Sequence, residues 1–195
     1  MNKTGSMAWP DDRCDQTKER ILDSASRMFS LRGFDAVGID EVMKDAGLTR
    51  GAFYHHFSSK AELYGQAIAH AARVGAAHFE ALGDQGLSRL VDGYLQNDHA
   101  QGGSPRCPLA FMAIDVALRK DCVRQSYTCT FQGFVERLQA ALPASAGSRE
   151  QALQLAVTMI GGVTLARALD DVELSEELLA ACREGSRAML EGFSQ

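Results

Sequence analysis

The sequence predicts an all-α protein in which a three-helix N-terminal unit precedes a larger helical bundle. Apolar residues recur at steps of three and four through most of the chain, and no segment shows the alternation typical of a strand. Glycines, prolines and capping residues divide this helical period into about nine helices. With 46% hydrophobic residues, the chain of 195 can also bury a substantial core.

The first four predicted helices have clear boundaries. Gly33 ends the first, Gly47 ends the second, and Thr49 is a good N-cap for the third. Ser59 and Glu62 have the spacing of a capping box at the start of the fourth. The predicted helices are 15–32, 39–46, 50–57 and 59 to about 78.

Five longer helices are predicted in the second half of the chain. They cover 87–95, 108–117, 121–142, 149–169 and a segment from Ser175 onward. This reading divides the chain into an N-terminal arm expected to be disordered (1–14), a helix-turn-helix domain (15–62) and a regulatory domain (63–195).

Composition and charge exclude several classes of protein. The net charge is -5, with residues 13–62 neutral and residues 63–195 at -4, so bulk charge alone would not hold the chain on nucleic acid. Five cysteines without a Cys-x-x-Cys pair favour reduced thiols. No apolar run has the length of a membrane span, and the first residues lack the apolar core of a signal peptide. We therefore expect a soluble cytoplasmic protein without a membrane partner.

Residues 39–57 have the pattern of a helix-turn-helix. Gly47 suits the turn, and Phe53 and Phe57, four residues apart, form an inward face on the second helix. An ordinary corner between two helices is the alternative. The adjacent His55 and His56 lack the spacing of two helical metal ligands, so no metal or cofactor is expected.

Residues 49–63, Thr-Arg-Gly-Ala-Phe-Tyr-His-His-Phe-Ser-Ser-Lys-Ala-Glu-Leu, resemble the signature of the TetR family of transcriptional regulators. The similarity extends over roughly residues 17–66 and includes Arg-Gly-Phe at 32–34 and Ala-Gly-Leu at 46–48. Membership would imply a homodimer that binds double-stranded DNA at a palindromic operator. It would also imply a small-molecule effector.

The resemblance assigns DNA contacts to one short stretch. It implies that Arg50 reads a base and that Lys60 grips a phosphate. For Tyr54 and His56, packing within the domain is the alternative. Gly38 stands where many relatives have a hydroxyl residue, so a phosphate contact there is not expected. The implied DNA-binding residues are Thr49, Arg50, Gly51, Ala52, Tyr54, His55, His56 and Lys60.

The helix predicted over 149–169 is apolar on nearly every side and must be covered on two faces. Gly161 and Gly162 reduce its stability and predict the close approach of another helix. The resemblance implies that this helix and the last helix of each subunit form a four-helix dimer interface; for the helix over 149–169, a central core helix is the alternative. The assigned interface residues are Leu153, Val157, Ile160, Gly161, Gly162, Leu165, Leu178 and Cys182.

A set of aromatic residues, together with Met112 and Asp115, is predicted to line a pocket for an apolar or aromatic effector in the second part of the chain. Plain core is the alternative. Asp115 and Arg119, four apart, are expected to pair at the surface unless Asp115 orients a ligand. The predicted pocket residues are Phe79, Phe111, Met112, Asp115, Tyr127 and Phe131.

Cys107 lies between Arg106 and Pro108, where a helix is predicted to begin. A cation and a helix N-terminus both lower the pKa of a thiol, which makes Cys107 the candidate for redox sensing. The sequence favours a ligand-responsive repressor, not an enzyme, because it shows no catalytic constellation. The alternatives are a redox- or electrophile-sensing regulator, a helical-bundle enzyme or carrier, and a helical adaptor for another protein.

Overall fold

The computed structural model describes residues 11–81, 86–103, 106–143 and 147–191, and within these ranges it contains eleven α-helices and no strand. The all-α prediction is confirmed. The helices are α1 (Asp11–Ala36), α2 (Ile39–Asp45), α3 (Arg50–His56), α4 (Lys60–Glu80), α5 (Gly86–Tyr94), α6 (Asn97–Ala100), α7 (Pro108–Phe111), α8 (Ala113–Val116), α9 (Asp121–Ala141), α10 (Ser148–Ala166) and α11 (Val172–Glu191).

The turns of the N-terminal unit follow the predicted signals. Gly33 interrupts the end of α1 with φ 76°, and Gly47 ends the α2 turn with φ 66°, a region that side chains disfavour. Glu41 accepts a hydrogen bond from the Gly38 amide at 2.8 Å, which completes the start of α2 without a hydroxyl cap. Helix α1 already includes residues 11–14, which the sequence assigned to the arm. Residues 1–10 lie outside the described ranges.

Two hydrophobic cores organise the chain. The first joins α1, α2 and α3 to the N-terminal half of α4, and it also takes in Met112, Val116 and Val123 from the second half of the chain. The second core joins α5, α9, α10 and α11. Buried α4 residues such as Ile68 belong to the first core, so the packing continues past the boundary predicted between residues 62 and 63.

The segment 108–117 differs from the single helix that was predicted. Met112 has φ -117° and ψ -2°, and this kink separates α7 from α8. Its side chain is fully buried in the first core, which holds the chain in the bent course. The short helix α6 was also missed, because four residues carry too little periodicity to be recognised.

Asp115 joins the N-terminal unit to the bundle. Its carboxylate accepts hydrogen bonds from the Tyr64 hydroxyl at 2.5 Å, the Phe34 amide at 3.1 Å and the Arg119 guanidinium at 2.7 Å. Arg119 also donates to Asp35 at 2.7 Å. The predicted pair of Asp115 with Arg119 is confirmed, but its location at the surface is wrong, since the two side chains are 22% and 15% exposed.

Candidate nucleic-acid interface and ligand cavity

The outer surface of α3 carries most of the predicted DNA-binding residues. Phe53 and Phe57 are buried, as predicted, and they anchor α3 on the first core. With that face covered, five residues of the segment are exposed to solvent. They are Thr49, Arg50, Gly51, Tyr54 and His55.

Arg50 is held ready at the surface by two weak contacts. Its guanidinium donates to Asp40 at 2.8 Å and to the Tyr54 hydroxyl at 3.4 Å. The Tyr54 hydrogen bond, followed by the charge of Asp40, raises the pKa of Arg50, so the group remains cationic. The Arg50 and Asp40 side chains are 59% and 67% exposed, and such an exposed pair is easily exchanged for a stronger partner.

Ala52 and His56 are less available. Ala52 packs against the first core, and His56 is half-buried. Burial lowers the pKa of the His56 imidazole, and the neighbouring His55 and Lys18 lower it further. A neutral, partly covered imidazole favours the packing alternative for His56 over a phosphate contact.

Lys60 lies at the junction with the bundle and not beside Arg50. Its ammonium group is 4.3 Å from the centre of the Phe34 ring, which Arg119 also covers at 4.7 Å. Partial burial lowers the pKa of Lys60, although the charge of Asp35 opposes this shift. This placement gives Lys60 a role in holding the junction and weakens its assignment to a phosphate.

Residues 21–67 match the family model "Bacterial regulatory proteins, tetR family". The N-terminal domain of the chain therefore belongs to the TetR family. It is 43% identical over 51 residues to the HTH-type transcriptional regulator AcrR of Shigella flexneri, an alignment that covers 26% of this chain and 24% of AcrR. It is 33% identical over 51 residues to the biofilm operon icaADBC negative regulator IcaR of Staphylococcus aureus (26% of this chain, 27% of IcaR).

The likeness in fold to solved structures extends over nearly the whole chain. A TetR-family transcriptional regulator from Cytophaga hutchinsonii superposes with a TM-score of 0.73 at 15% identity, covering 97% of this chain and 98% of that structure. By sequence, in contrast, the chain spans about a quarter of the length of the curated relatives it matches. The sequence matches therefore concern the N-terminal domain.

The C-terminal half of the chain contains a cavity of about 310 Å³. Small side chains of α4 form one wall, and residues of α5, α7 and α9 form the others. The apolar lining includes Ala71, Ala72, Leu90, Leu109, Phe134 and Leu138.

The predicted pocket residues lie elsewhere. Met112 is buried in the first core, Phe131 packs on the second, and Asp115 is committed to the junction. Phe111 contacts both cores, and the Tyr127 hydroxyl donates to the Leu109 carbonyl at 2.7 Å. These side chains are occupied by packing, as the core alternative expected. The side chain of Phe79 lies outside the described residues.

Three polar groups that sequence reasoning did not assign to a site line the cavity. His99 and Arg106 each bring one buried polar atom that lacks a hydrogen-bond partner among the described residues, and the buried Tyr94 hydroxyl meets only the weakly accepting Cys107 sulfur there. Burial lowers the pKa of His99 to about 4, so its imidazole is neutral at pH 7. No spacing in the sequence links these residues, because they meet through the packing of α5 and α6 against the segment before α7.

Cys107 also lines the cavity, but its environment is the opposite of the one predicted. Burial raises the pKa of the Cys107 thiol, and hydrogen bonds that favour the thiolate do not reverse this shift. Burial therefore opposes the activation expected of a thiol at a helix start. A short helix end and one nearby arginine are outweighed by the loss of water around the sulfur.

The outward face of α10 is apolar. Leu153, Val157 and Leu165 recur at steps of four and eight residues and are 37%, 63% and 57% exposed. Ile160 and Gly161 are half-buried beside them, and a Cβ atom added to Gly161 would meet no other described residue within 4 Å. This face is where an additional helix can pack closely.

Three predicted interface residues face the interior of their own chain. A Cβ atom on Gly162 would lie 3.0 Å from the Cys182 sulfur and 3.1 Å from a methyl group of Leu95. Cys182 and Leu178 both pack on the second core. The close approach that Gly162 permits is thus between α10 and α11 of the same chain, which favours the alternative of a core position for this residue.

The described ranges also lack two other features. Within them no group of three or more His, Cys, Asp or Glu residues is arranged to hold a metal ion. None of the helices in these ranges combines the length and the hydrophobicity needed to cross a membrane.

Proposed function

We propose that the protein is a cytoplasmic transcriptional repressor that binds a palindromic operator as a homodimer and releases it when a small molecule occupies the cavity. The observation that carries this proposal is the exposed surface of α3 on a TetR-family helix-turn-helix. The name of IcaR, a negative regulator, supports repression.

The chemistry of the α3 surface suits the major groove. The Arg50 guanidinium matches the two acceptors of a guanine edge, and Gly51 lets the helix approach the bases closely. Tyr54 and His55 extend the same exposed surface. Since one short helix contacts few base pairs, a specific site requires two such helices in a linked pair.

The apolar face of α10 supports the homodimer. A stripe formed by Leu153, Val157 and Leu165 would lose water when it packs on the same stripe of a second copy. Gly161 lies within this stripe and allows the two helices to approach closely. A twofold pair of chains then presents two α3 helices to a palindrome.

The cavity supports release by an effector. Helix α4 begins at the junction with the N-terminal unit, and its middle residues Ala71, Ala72 and Gly75 line the cavity. A ligand that prefers the DNA-incompetent arrangement can therefore act on the N-terminal unit through α4. We propose a non-covalent trigger in place of oxidation, because Cys107 is only partly exposed and desolvation raises the pKa of its thiol.

The direct test is binding of the purified protein to the DNA upstream of its own gene. We expect a protected palindromic segment, with an affinity above that for unrelated duplex at moderate salt. Arg50→Ala should weaken binding to this segment roughly 5- to 150-fold and relax the preference for one base in each half-site. Arg149→Ala removes an exposed cation from α10 and is the matched control.

Equal affinity for the upstream segment and for unrelated duplex would contradict the proposal. In that case the helical-bundle carrier or the adaptor becomes the better interpretation. A specific complex that forms with one chain per half-site and no dimer in solution would contradict the homodimer alone.

A further inference from the structure

One end of the cavity concentrates hydrogen-bond donors without strong acceptors. The Arg106 Nε, and the His99 Nε2 in the tautomer that protonates it, are buried donors without a hydrogen-bond partner among the described residues, and the Tyr94 hydroxyl meets only the weakly accepting Cys107 sulfur there. The Tyr94 and His99 rings lie 4.7 Å apart, so two of these groups are neighbours. A buried donor left without an acceptor costs roughly 1–3 kcal/mol, which an occupant of the cavity can recover.

Positive charge around this end of the cavity exceeds negative charge. Arg167 lies 3.6 Å from the centre of the Phe111 ring, and its pKa is lowered by burial and by the charge of Arg106. Neither arginine forms an ion pair within the described ranges. Among the described lining residues, Arg89, Arg106 and Arg137 face a single carboxylate, that of Asp98.

We infer that the cavity binds an organic anion with an apolar body and one terminal carboxylate. The carboxylate accepts hydrogen bonds from the Arg106 Nε and from the neighbouring Tyr94 and His99, and its charge relieves the repulsion between the two arginines. The apolar body lies against Leu90, Leu109 and Leu138. This inference rests on the proposed function, because it names the class of effector for that cavity.

Other classes of ligand fit this lining less well. A cation would add to the charge of Arg106 and Arg167. A neutral hydrocarbon would leave the three polar groups without a strong acceptor, and a neutral amide would supply an acceptor without offsetting the positive charge.

The test compares matched probes on the full-length protein in the absence of DNA. 2-Naphthoate and 2-naphthamide share one ring system and differ in charge, and decanoate and decanamide form a second, flexible pair. By isothermal titration calorimetry, we expect at least one carboxylate to bind about tenfold or more tightly than its own amide. Arg106→Gln should bring that ratio close to one, whereas Arg149→Gln should leave it unchanged.

Two further measurements guard against a merely structural effect. Tyr94→Phe keeps the ring in place and should weaken the carboxylate more than the amide, because it removes one donor. In NMR spectra of the wild type, the bound carboxylate should raise the pKa of His99 from about 4, because an adjacent anion stabilises the imidazolium.

The inference is overturned if both carboxylates fail to bind at millimolar concentration, if each amide binds as well as its carboxylate, or if a folded Arg106→Gln protein keeps the wild-type ratio. None of these results affects the proposed binding of DNA, since operator DNA is absent from the assay. Conversely, carboxylate binding by a protein that shows no operator preference would contradict the proposed function and leave the ligand class standing.

Discussion

Replacing Asp115 with alanine should loosen the contact between the N-terminal unit and the bundle. The substitution removes the acceptor shared by the Tyr64 hydroxyl, the Phe34 amide and Arg119. Tyr64 is fully buried, and burial together with its hydrogen bond to Asp115 raises the pKa of the phenol, so the hydroxyl stays protonated. In the variant this donor is left inside the protein without its acceptor.

The expected size of the effect follows from these contacts. An unsatisfied buried hydroxyl costs roughly 1–3 kcal/mol, and loss of the Phe34 hydrogen bond adds about 1 kcal/mol. Arg119 loses less, because it keeps its hydrogen bonds to Asp35. The three contacts share one carboxylate and are not additive, so we expect a total near 3 kcal/mol. With an m-value of about 2–3 kcal/mol/M in urea, the unfolding midpoint should fall by about 1 M.

Urea denaturation followed by circular dichroism measures this change, and two variants complete the design. Asp35→Ala removes a side chain that is 77% exposed, and it should leave the midpoint nearly unchanged. Tyr64→Phe combined with Asp115→Ala should regain part of the lost stability, because the unpaired hydroxyl is then gone. If Asp115→Ala unfolds at the same urea concentration as Asp35→Ala, the junction does not depend on this carboxylate.

Four other perturbations test separate parts of the molecule. Gly161→Leu should elute as a folded monomer from a sizing column, and a dimeric Gly161→Leu protein would contradict the α10 interface. Gly162→Leu should instead destabilise the chain itself by roughly 1–3 kcal/mol or more, because its Cβ atom would lie 3.0 Å from the Cys182 sulfur. Asp40→Asn removes the charged partner of Arg50 and one negative charge from the DNA-facing surface, so titrations with labelled operator should show tighter binding. Weaker binding would contradict the placement of Arg50 and Asp40 at that surface. Because burial raises the pKa of the Cys107 thiol, we expect Cys107→Ser to lose operator binding under mild peroxide at least as fast as the wild type. Protection by the mutation would establish Cys107 as the sensor. The pKa of His99 is about 4 in the folded chain against an ordinary 6.5, so the unfolded chain takes up the proton at a higher pH. As the pH falls from 6.5 to 4, this site should therefore lower the free energy of unfolding by about 3 kcal/mol. The urea midpoint of His99→Phe should fall less than that of the wild type over this window, and an identical pH dependence in the two proteins would contradict the burial of His99.

The N-terminal unit was predictable because its signals are local. Gly33 and Gly47 mark positions where the chain adopts positive φ, and both appear where the helical period stops. Phe53 and Phe57 are one helical turn apart, which identifies the buried face of α3 without knowledge of its partner. The placement of Lys60 escaped this reasoning, since its contact with Phe34 depends on how α4 meets the end of α1.

The regulatory half was less predictable because apolar periodicity does not identify what covers a face. Gly161 and Gly162 look equivalent in the sequence, yet the first faces open space and the second faces Cys182. The same ambiguity applies to aromatic residues. Phe111 and Tyr127 have the spacing of a pocket lining, but packing and a hydrogen bond to Leu109 commit them to the interior.

The position of Asp115 constrains how a bound ligand can act on DNA. Helix α4 packs against both α1 and α9. Near its N-terminus, the Tyr64 hydroxyl donates to Asp115 in α8, the helix that precedes α9. A ligand between α4 and α9 that displaced α4 alone would strain the hydrogen bond between Tyr64 and Asp115. The N-terminal unit should therefore move together with α4, because Tyr64 of α4 and the Phe34 amide of α1 both donate to the Asp115 carboxylate. Asp115→Ala should therefore leave the affinity for the ligand unchanged, because Asp115 does not line the cavity. It should weaken the coupling between ligand binding and DNA binding, because it removes the contact that joins α4 to the N-terminal unit.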